Sequence, residues 1–404
     1  MRILTVNCGS SSLKFDLLDA DAARVVQAAG GAVERIGREA KLVFHSGETR
    51  AERDVEASDH AAAFRQAVEI LRETGLGDGI EAVGHRVVHG GVQFRQPTLV
   101  DEAVVRAIEA ASVLAPLHNQ PALAAIHAAR AELPTLPMVA TFDTAFFAGL
   151  PEVAAQYALP RDLSARLGIR RFGFHGLAHR YMVERYRALR PEVEKARLIT
   201  FQLGNGCSAT ASIDGTPVDT SMGLTPLEGL VMGTRAGDLD PSVPLFILER
   251  EGLAPKDVEA ILNNQSGLLG LSRRSNDMRD LLQAEAGGDA DAALAIDSFC
   301  YRARKYLGAY LAVLGSADAV VFGGGIGEHS AAVRWRICSG VDALGLALDA
   351  SANDGASGGD RRISAPNSRT EAWVVAVDEA AVIARDVVAC LQGGPAREPA
   401  GPGA

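Results

Sequence analysis

The chain lacks the features that mark membrane, secreted and metal-cluster proteins. Its 404 residues contain no apolar run near the roughly 20 residues that span a bilayer, and Met1 leads directly into strand-like sequence rather than a secretion signal. The five cysteines are scattered, odd in number and never spaced as C-x-x-C, which argues against a disulfide framework and a cysteine zinc site. These absences predict a reduced, cytoplasmic protein with no membrane partner.

Basic residues are also fewer than acidic ones. Lys and Arg total 40 against 50 Asp and Glu, giving a net charge of −10, so a nucleic-acid-binding surface is not expected. Only five of the basic residues are lysines. One of them, Lys14, follows a Gly/Ser loop and could place a positive charge beside a phosphate group.

Two common nucleotide-binding motifs are missing. No Gly-Lys-Ser/Thr occurs, which excludes a Walker A loop. The glycine-rich residues 323–327 do not fit G-x-G-x-x-G, because Glu328 occupies the place of the last glycine. A Rossmann-type oxidoreductase therefore loses support.

Glycine, in contrast, is abundant, at 42 of 404 residues. It is concentrated in three loops next to apolar strands, at residues 7–12, 204–206 and 323–327, and backbone N–H groups of such loops can cradle phosphate. The first two loops share the layout strand, Asn/Gly/Ser loop, strand. We interpret this as a weak internal repeat of two α/β halves, with two unrelated hairpins as the alternative.

Apolar strands alternate with segments of helical periodicity along the chain. A buried strand over 137–142 would deliver Asp143 at its carboxyl end, and a strand over 373–377 would deliver Glu379. This alternation predicts α/β layers, in which ligands lie beyond the carboxyl ends of the strands. Residues 350–370 are predicted to form an exposed loop, and residues 393–404 a disordered tail.

Five segments, taken in order, resemble the signatures of the acetate kinase family: residues 6–15, 84–91, 171–176, 203–206 and 219–235. The resemblance extends from residue 2 to about residue 390. It implies an α/β fold of two duplicated actin/Hsp70-like (ribonuclease H-like) domains with a nucleotide cleft between them, and a homodimer. The expected domains are 1–146, completed by a C-terminal helix over 380–392, and a nucleotide-binding domain over 147–379.

The activity implied by the resemblance is reversible transfer of the γ-phosphoryl group of ATP to acetate, giving acetyl phosphate and ADP. A carboxylate is already ionised at pH 7, so this reaction needs charge neutralisation more than proton removal. Arg86 and Arg235 suit that task, and both correspond to active-site arginines of the family. Without their motifs, either arginine would be interpreted as a surface salt-bridge residue.

The resemblance also assigns the other polar residues. His175 corresponds to the histidine that hydrogen-bonds the phosphoryl group in the transition state, although it could otherwise cap a helix or pair with His179 at a metal. Asp143 corresponds to the catalytic aspartate, with metal organisation or acceptor orientation favoured over general-base work. Asn7 and Glu379 correspond to the site of Mg²⁺ (or Mn²⁺). Alone, Glu379 would be interpreted as a surface carboxylate.

Two further sets follow from the resemblance. The acetate-binding set joins Arg86 to a small apolar pocket in which Val88 limits acyl length, and it comprises Arg86, Val88, Leu117, Phe174 and Pro226. The ATP/ADP-binding set comprises Lys14, Gln202, Leu203, Gly204, Asn205, Gly206, Asp277, Met278, Arg279, Gly325, Ile326, Gly327, Glu328 and His329.

Four positions depart from the usual family pattern. Gln202 and Phe147 each replace a histidine, His329 replaces an asparagine, and Arg273–Arg274 adds charge near the adenosine segment. These departures bear on nucleotide preference and rate rather than on the reaction. The alternatives are a propionate or butyrate kinase on the same scaffold, and an actin- or chaperone-like ATPase switch, which would not need two acceptor-side arginines.

Overall fold

The computed structural model describes residues 1–21, 24–355 and 358–393. The chain divides into two compact units, one formed by Met1–Ala148 with the segment from Asp378 onward, the other by Gly149–Val377. In the described ranges, no helix combines the length and apolarity needed to cross a bilayer. The five cysteines all lie in these ranges and are free thiols.

The strands, in chain order, are β1 (Arg2–Cys8), β2 (Ser12–Ala20), β3 (Val25–Glu34), β4 (Ala40–Ser46), β5 (Thr49–Val55), β6 (Ala82–Val87), β7 (Thr98–Leu99), β8 (Met138–Phe142), β9 (Arg197–Leu203), β10 (Cys207–Ile213), β11 (Thr216–Thr220), β12 (Ala319–Gly323), β13 (Arg361–Arg362) and β14 (Glu371–Val374).

The helices, in chain order, are α1 (His60–Glu73), α2 (Glu102–Ala111), α3 (Pro116–Glu132), α4 (Glu152–Ala155), α5 (Arg161–Leu167), α6 (Gly176–Leu189), α7 (Ser242–Glu251), α8 (Pro255–Asn264), α9 (Gly267–Ser272), α10 (Met278–Ala286), α11 (Ala290–Leu314), α12 (Gly324–His329), α13 (Ala331–Cys338), α14 (Ala350–Asp354) and α15 (Glu379–Leu391). Short 3₁₀ turns cover Gly77–Gly79, Asp143–Phe147 and Asp342–Leu344.

The first unit is built on a sheet of order β5-β4-β3-β2-β1-β6-β8-β7. Strand β1 runs antiparallel to β2 but parallel to β6, and β6 is parallel to β8. All five residues of β8 are buried, as its continuous apolar run predicts. The carboxyl ends of β1, β6 and β8 therefore meet at one edge of the sheet.

The last helix, α15, packs on this sheet at a glycine of β6. A Cβ atom on Gly84 would lie 2.5 Å from Cγ2 of Ile383 and 2.8 Å from Cγ2 of Val387. Only a glycine lets the helix approach the strand this closely. Arg86 lies on the same face of β6 as Gly84, because side chains alternate along a strand. The close contact thus brings the start of α15 near the Arg86 face.

The second unit is built on a sheet of order β11-β10-β9-β12-β14-β13. Strands β11, β10 and β9 are successively antiparallel, whereas β9, β12 and β14 are parallel. The first unit has the same succession in β3-β2-β1-β6-β8. This shared topology supports the interpretation of an internal repeat. The fold is α/β with two domains, as predicted.

Several predicted boundaries differ from the structure. Residues 350–370 are not simply an exposed loop, because they include α14 and β13 and bury Asn353 and Ile363. Strand β14 ends at Val374, and Asp378 caps α15 by accepting a hydrogen bond from the N–H of Ala381. Glu379 therefore begins a helix of the first unit rather than ending a strand of the second. Within the predicted tail, residues 394–404 lie outside the described residues.

Candidate functional site

Polar side chains gather at the carboxyl edge of the first unit's parallel strands. Asn7 is the penultimate residue of β1, Arg86 is the penultimate residue of β6, and Asp143 follows β8 directly. Glu379 is the first residue of α15. Chain topology thus brings together four of the predicted site residues, which are widely separated in sequence.

Arg86 lies at the centre of this cluster. Its Nη2 donates to Oδ2 of Asp143 at 2.6 Å, and its Nη1 donates to Oε2 of Glu379 at 3.1 Å and to Oδ1 of Asn7 at 3.2 Å. Asn7 Nδ2 donates to the same Glu379 oxygen at 2.9 Å. The Asp143 side chain is fully buried. The guanidinium is therefore held in one orientation by three partners.

Burial and charge oppose each other in this cluster. Burial by itself lowers the pKa of Arg86, but the carboxylates of Asp143 and Glu379 more than reverse this effect and raise it above its usual value. Burial raises the pKa of Glu379, whereas the positive charge of Arg86 lowers it. The site therefore keeps a fixed positive charge between two acidic groups.

The oxygens of this cluster fit a hard divalent cation. The carboxylate of Glu379 and the amide oxygen of Asn7 are ligand types that Mg²⁺ accepts. Within the described ranges, no three His, Cys, Asp or Glu side chains form a ready metal cage. This donor set fits an ion that takes one or two protein oxygens and completes its shell with water and phosphate.

The predicted acetate pocket draws on both units. Val88 follows β6 directly and is buried in the first unit. Leu117 lies in the first turn of α3, and its side chain is not among those that the structure describes. Phe174 is buried in the second unit, and Pro226 is half-buried there. Their shared pocket stays a prediction.

The loop after Val88 is held by residues that the sequence analysis missed. The side chain of Asn119 accepts from the N–H of His89 at 3.0 Å and donates to its carbonyl at 2.9 Å. Thr144 Oγ1 accepts from the N–H of Gly90 at 3.0 Å. The sequence of a helix does not show which distant backbone groups a polar side chain such as that of Asn119 will bind. Thr144 could have been suspected of a role at the site, because it directly follows Asp143.

In the second unit, Gly206 lies against two predicted catalytic residues. A Cβ atom at this position would lie 3.2 Å from Nε2 of His175 and 3.7 Å from Nη1 of Arg235. The N–H of Gly233 donates to the Asn205 carbonyl at 2.8 Å, which joins the segment carrying Arg235 to the loop over 204–206. The structure thus brings His175, Arg235 and this loop together.

His175 and Arg235 are each fixed by a local contact. His175 precedes α6 in the left-handed conformation, with φ 57° and ψ 31°, which costs a non-glycine residue about 1 kcal/mol. Its Nδ1 lies 2.9 Å from Oγ of Ser208. Arg235 Nη1 donates to the Pro226 carbonyl at 2.9 Å, and burial lowers the pKa of Arg235 from its usual value.

The glycine-rich segment after β12 adjoins the end of β9. Gly323 pairs with Gln202, and Gly324 has φ +76°, with its missing Cβ 2.8 Å from Nε2 of Gln202. Glu328 accepts from the backbone N–H of Gly324 at 3.0 Å and of Val377 at 3.2 Å. The Glu328 carboxylate therefore fixes the backbone of this turn.

The remaining residues of the 325–329 set differ in exposure: Gly325 and His329 are exposed, Ile326 is half-buried and Gly327 is buried.

The predicted adenosine segment begins a helix. Asp277 caps α10, accepting from the N–H of Arg279 at 2.8 Å and pairing with its guanidinium at 2.6 Å, whereas Met278 is buried. Asn276, which the sequence analysis missed, donates to Oδ1 of Asn205 at 2.9 Å. Two predicted nucleotide segments are therefore adjacent.

Lys14 is exposed on β2 of the first unit, in register with Asn7. Leu203 ends β9 with its side chain fully buried, and Gly204 donates its N–H to the Gly206 carbonyl at 3.1 Å.

Comparisons with known proteins identify the family to which the chain belongs. Residues 2–385 match the acetokinase family. The acetate kinase of Solibacter usitatus is 47% identical, over 98% of this chain and 99% of that protein, and the acetate kinase of Thermotoga maritima is 45% identical, over 96% and 98%.

Solved structures show the same similarity. The acetate kinase of Porphyromonas gingivalis superposes with a TM-score of 0.88 at 38% identity, covering 96% of this chain and 99% of that one. A propionate kinase from Francisella tularensis gives a TM-score of 0.89 at 39% identity, covering 95% and 98%. The chain belongs to the acetokinase family.

Proposed function

We propose that this protein catalyses the reversible, Mg²⁺-dependent transfer of the γ-phosphoryl group of ATP to acetate, giving acetyl phosphate and ADP. The observation that carries the proposal is Arg86, held in a fixed orientation by Asp143, Glu379 and Asn7. Acetate kinases 44–47% identical over nearly the whole chain support the choice of acceptor.

In the first unit, Arg86 binds the acceptor. Acetate is ionised at pH 7, so it needs a positive group and an orientation rather than a base. Asp143 contacts Nε and Nη2 of Arg86, which fixes the plane of the guanidinium. This residue therefore orients the acceptor through Arg86, and no proton has to be removed.

In the second unit, His175 and Arg235 stabilise the transferring group. An acetate oxygen attacks the γ-phosphorus in line, and the bond from phosphorus to the oxygen bridging the β-phosphate breaks, releasing ADP. Donors that are already in place beside the equatorial oxygens lower the barrier. Gly206 leaves the space in which the two side chains approach the loop.

Asn7 and Glu379 would hold the metal, Mg²⁺ or Mn²⁺, and the bound ion would supply charge neutralisation at the phosphates. The nucleotide is held by Lys14 and by three segments of the second unit: 202–206, 277–279 and 325–329. The contact between Asn276 and Asn205 supports a continuous surface for the first two of these segments.

The protein acts in the cytoplasm as a homodimer. Helix α7 has no buried residue and exposes Val243, Leu245 and Phe246 by 39%, 61% and 59%. An apolar helix face of this kind suits contact with a second copy of the chain. The free thiols of the five cysteines suit a reducing compartment.

The test is a panel of acids with ATP and Mg²⁺, in which acyl phosphate is trapped with hydroxylamine. We expect kcat/KM to be highest for acetate and to fall for propionate and butyrate, because one methylene changes binding by about 1–3 kcal/mol. Arg235→Ala should lower kcat at least about 100-fold. The matched control is Arg166→Ala, an exposed arginine of the same unit. A folded sample that makes no acyl phosphate from any acid would refute the proposal.

Propionate is the second candidate acceptor. The structural similarity to a propionate kinase, at a TM-score of 0.89, favours it. A kcat/KM for propionate above that for acetate would select this candidate, and Val88→Ala would then raise activity on butyrate rather than on propionate.

A further inference from the structure

A buried row of alternating hydroxyl and imidazole groups leads to His175. Thr200, His179 and Ser208 are all fully buried in the second unit. Oγ1 of Thr200 lies 2.7 Å from Nδ1 of His179, whose Nε2 lies 2.7 Å from Oγ of Ser208. The same Ser208 oxygen lies 2.9 Å from Nδ1 of His175. Three consecutive short hydrogen bonds thus connect the sheet interior to the proposed phosphoryl-binding histidine.

The direction of these hydrogen bonds follows from Thr200. Among the described residues, this hydroxyl, which has one proton, has two nearby acceptors, Nδ1 of His179 at 2.7 Å and the carbonyl of Thr210 at 3.5 Å. The longer contact is at the limit of hydrogen-bond geometry, so the proton goes to His179. Nδ1 of His179 is then an acceptor.

The remaining steps follow from the chemistry of a neutral imidazole. Burial lowers the pKa of His179 well below its usual value, so this ring is neutral and has one N–H. Since Nδ1 of His179 accepts, its Nε2 donates to Ser208. Ser208 then has its own proton available for Nδ1 of His175.

We propose that Ser208 is a positioning residue that, with His179 and Thr200, holds His175 in the tautomer with its proton on Nε2. This inference rests on the proposed role of His175 in phosphoryl transfer. Nε2 is the ring nitrogen beside the 204–206 loop, 3.2 Å from where a Cβ of Gly206 would lie. A neutral His175 in this tautomer donates to a phosphoryl oxygen without first gaining a proton.

The conformation of His175 makes such support necessary. Its left-handed backbone is unfavourable for a side chain that bears a Cβ atom, and it persists only where surrounding contacts hold it. The Ser208 hydroxyl fixes the ring orientation and the tautomer at the same time. Without it, the ring can rotate and its proton can move to Nδ1, so that fewer molecules present the donor.

The test compares Ser208→Ala with Ser212→Ala. Ser212 is a matched control because it lies four residues further along β10, on the same face, and is equally buried. We expect Ser208→Ala to lower kcat at least about tenfold, with KM for ATP and acetate changed by less than about threefold. Ser212→Ala should stay within about twofold of the unmodified chain.

Thr200→Val adds a variant of nearly unchanged shape. It removes the hydroxyl that sets the direction of the row, and we expect a smaller fall in kcat with KM again little changed. A kcat for Thr200→Val equal to that of Ser212→Ala would contradict the assigned direction.

A spectroscopic readout makes the test independent of activity. In the ¹⁵N spectrum of histidine-labelled, unmodified protein, His175 should show a protonated Nε2 and an unprotonated Nδ1. In Ser208→Ala, both neutral tautomers of His175 should be populated. A protonated Nδ1 in the unmodified protein, or equal kcat for Ser208→Ala and Ser212→Ala, would overturn the inference. Failure of the proposed function can be distinguished from failure of this inference, because in the former case the unmodified chain itself makes no acetyl phosphate.

Discussion

At the scale of single residues, Arg86 shows why charge alone does not define the site. Its guanidinium contacts Asp143 through two nitrogens and reaches Glu379 and Asn7 through the third. A lysine ammonium is a point charge and cannot hold three partners in one plane. The site therefore depends on the shape of this cation as well as on its sign.

Replacing Arg86 separates these two properties. Arg86→Lys should lower kcat/KM for acetate at least about 100-fold, because the planar guanidinium with its several N–H donors is lost. Arg86→Ala should in addition lower the free energy of unfolding by about 3–5 kcal/mol, since it leaves the fully buried Asp143 carboxylate unpaired. Steady-state kinetics and urea unfolding measure the two effects. Arg86→Lys with kcat/KM near that of the unmodified chain would contradict this account of the site.

His85, the neighbour of Arg86, predicts a dependence of stability on pH. It is almost fully buried, and its Nε2 has no hydrogen-bond partner in the described part of the chain. Burial lowers its pKa to about 3. Because the unfolded chain binds the proton near pH 6.5, stability is lost as pH falls from 6.5 toward 3, by about 1.4 kcal/mol per pH unit.

The matched variant for this effect is His85→Gln, which cannot titrate. Between pH 7.5 and pH 5, the unmodified chain should lose about 2 kcal/mol more unfolding free energy than the variant. Urea unfolding at the two pH values measures the difference. Equal losses would show that His85 does not contribute to the acid sensitivity of the fold.

At the scale of secondary structure, the contact between β6 and α15 positions Glu379. The contact depends on Gly84, whose added Cβ would meet Ile383 and Val387. Gly84→Ala should therefore lower the unfolding free energy by about 1–3 kcal/mol and raise the apparent requirement for Mg²⁺ by displacing Glu379.

A glycine with free space provides the control for this substitution. Gly308 lies within α11, and an added Cβ there would meet no described atom within 4 Å apart from the nearby backbone of its own helix. Gly308→Ala should be neutral or stabilise the protein by up to about 1 kcal/mol. Thermal unfolding and Mg²⁺ titration of activity distinguish the two variants, and similar behaviour of both would contradict the role given to Gly84.

The strands and helices near the site also show how much of the fold could be predicted from the sequence. The buried strands that carry Asn7, Arg86 and Asp143 were predictable, because apolar runs followed by polar residues mark strand ends in α/β proteins. Glu379 was placed at a strand end, yet it begins α15, since Asp378 caps that helix. Local propensity does not reveal where a short strand such as β14 stops.

Partners from distant segments were not predictable. Ser208 lies inside a strand, and Asn119 inside a helix, where single polar residues usually face solvent. Their contacts with His175 and His89 exist only once the chain has folded. The motifs supplied the candidate reactive residues, whereas hydrogen-bond partners such as Ser208 and Asn119 could not be predicted from them.

At the scale of the whole molecule, the exposed face of α7 predicts the oligomeric state. Light scattering after size exclusion should give twice the mass of one chain, and Phe246→Asp should give a monomer, because a buried charge opposes association. Val153→Asp is the control, since Val153 is 90% exposed on α4, outside the proposed interface. A monomeric unmodified chain, or a dimeric Phe246→Asp variant, would contradict the proposal.

An ATPase switch without an acyl acceptor is the alternative that the sequence left open, so the whole reaction has to be observed. The most direct measurement is ³¹P NMR of the intact chain with ATP, Mg²⁺ and acetate. If the proposed function holds, acetyl phosphate and ADP form in equal amounts, and no ADP forms when acetate is omitted. ATP breakdown to ADP and inorganic phosphate at a rate unaffected by acetate would contradict it.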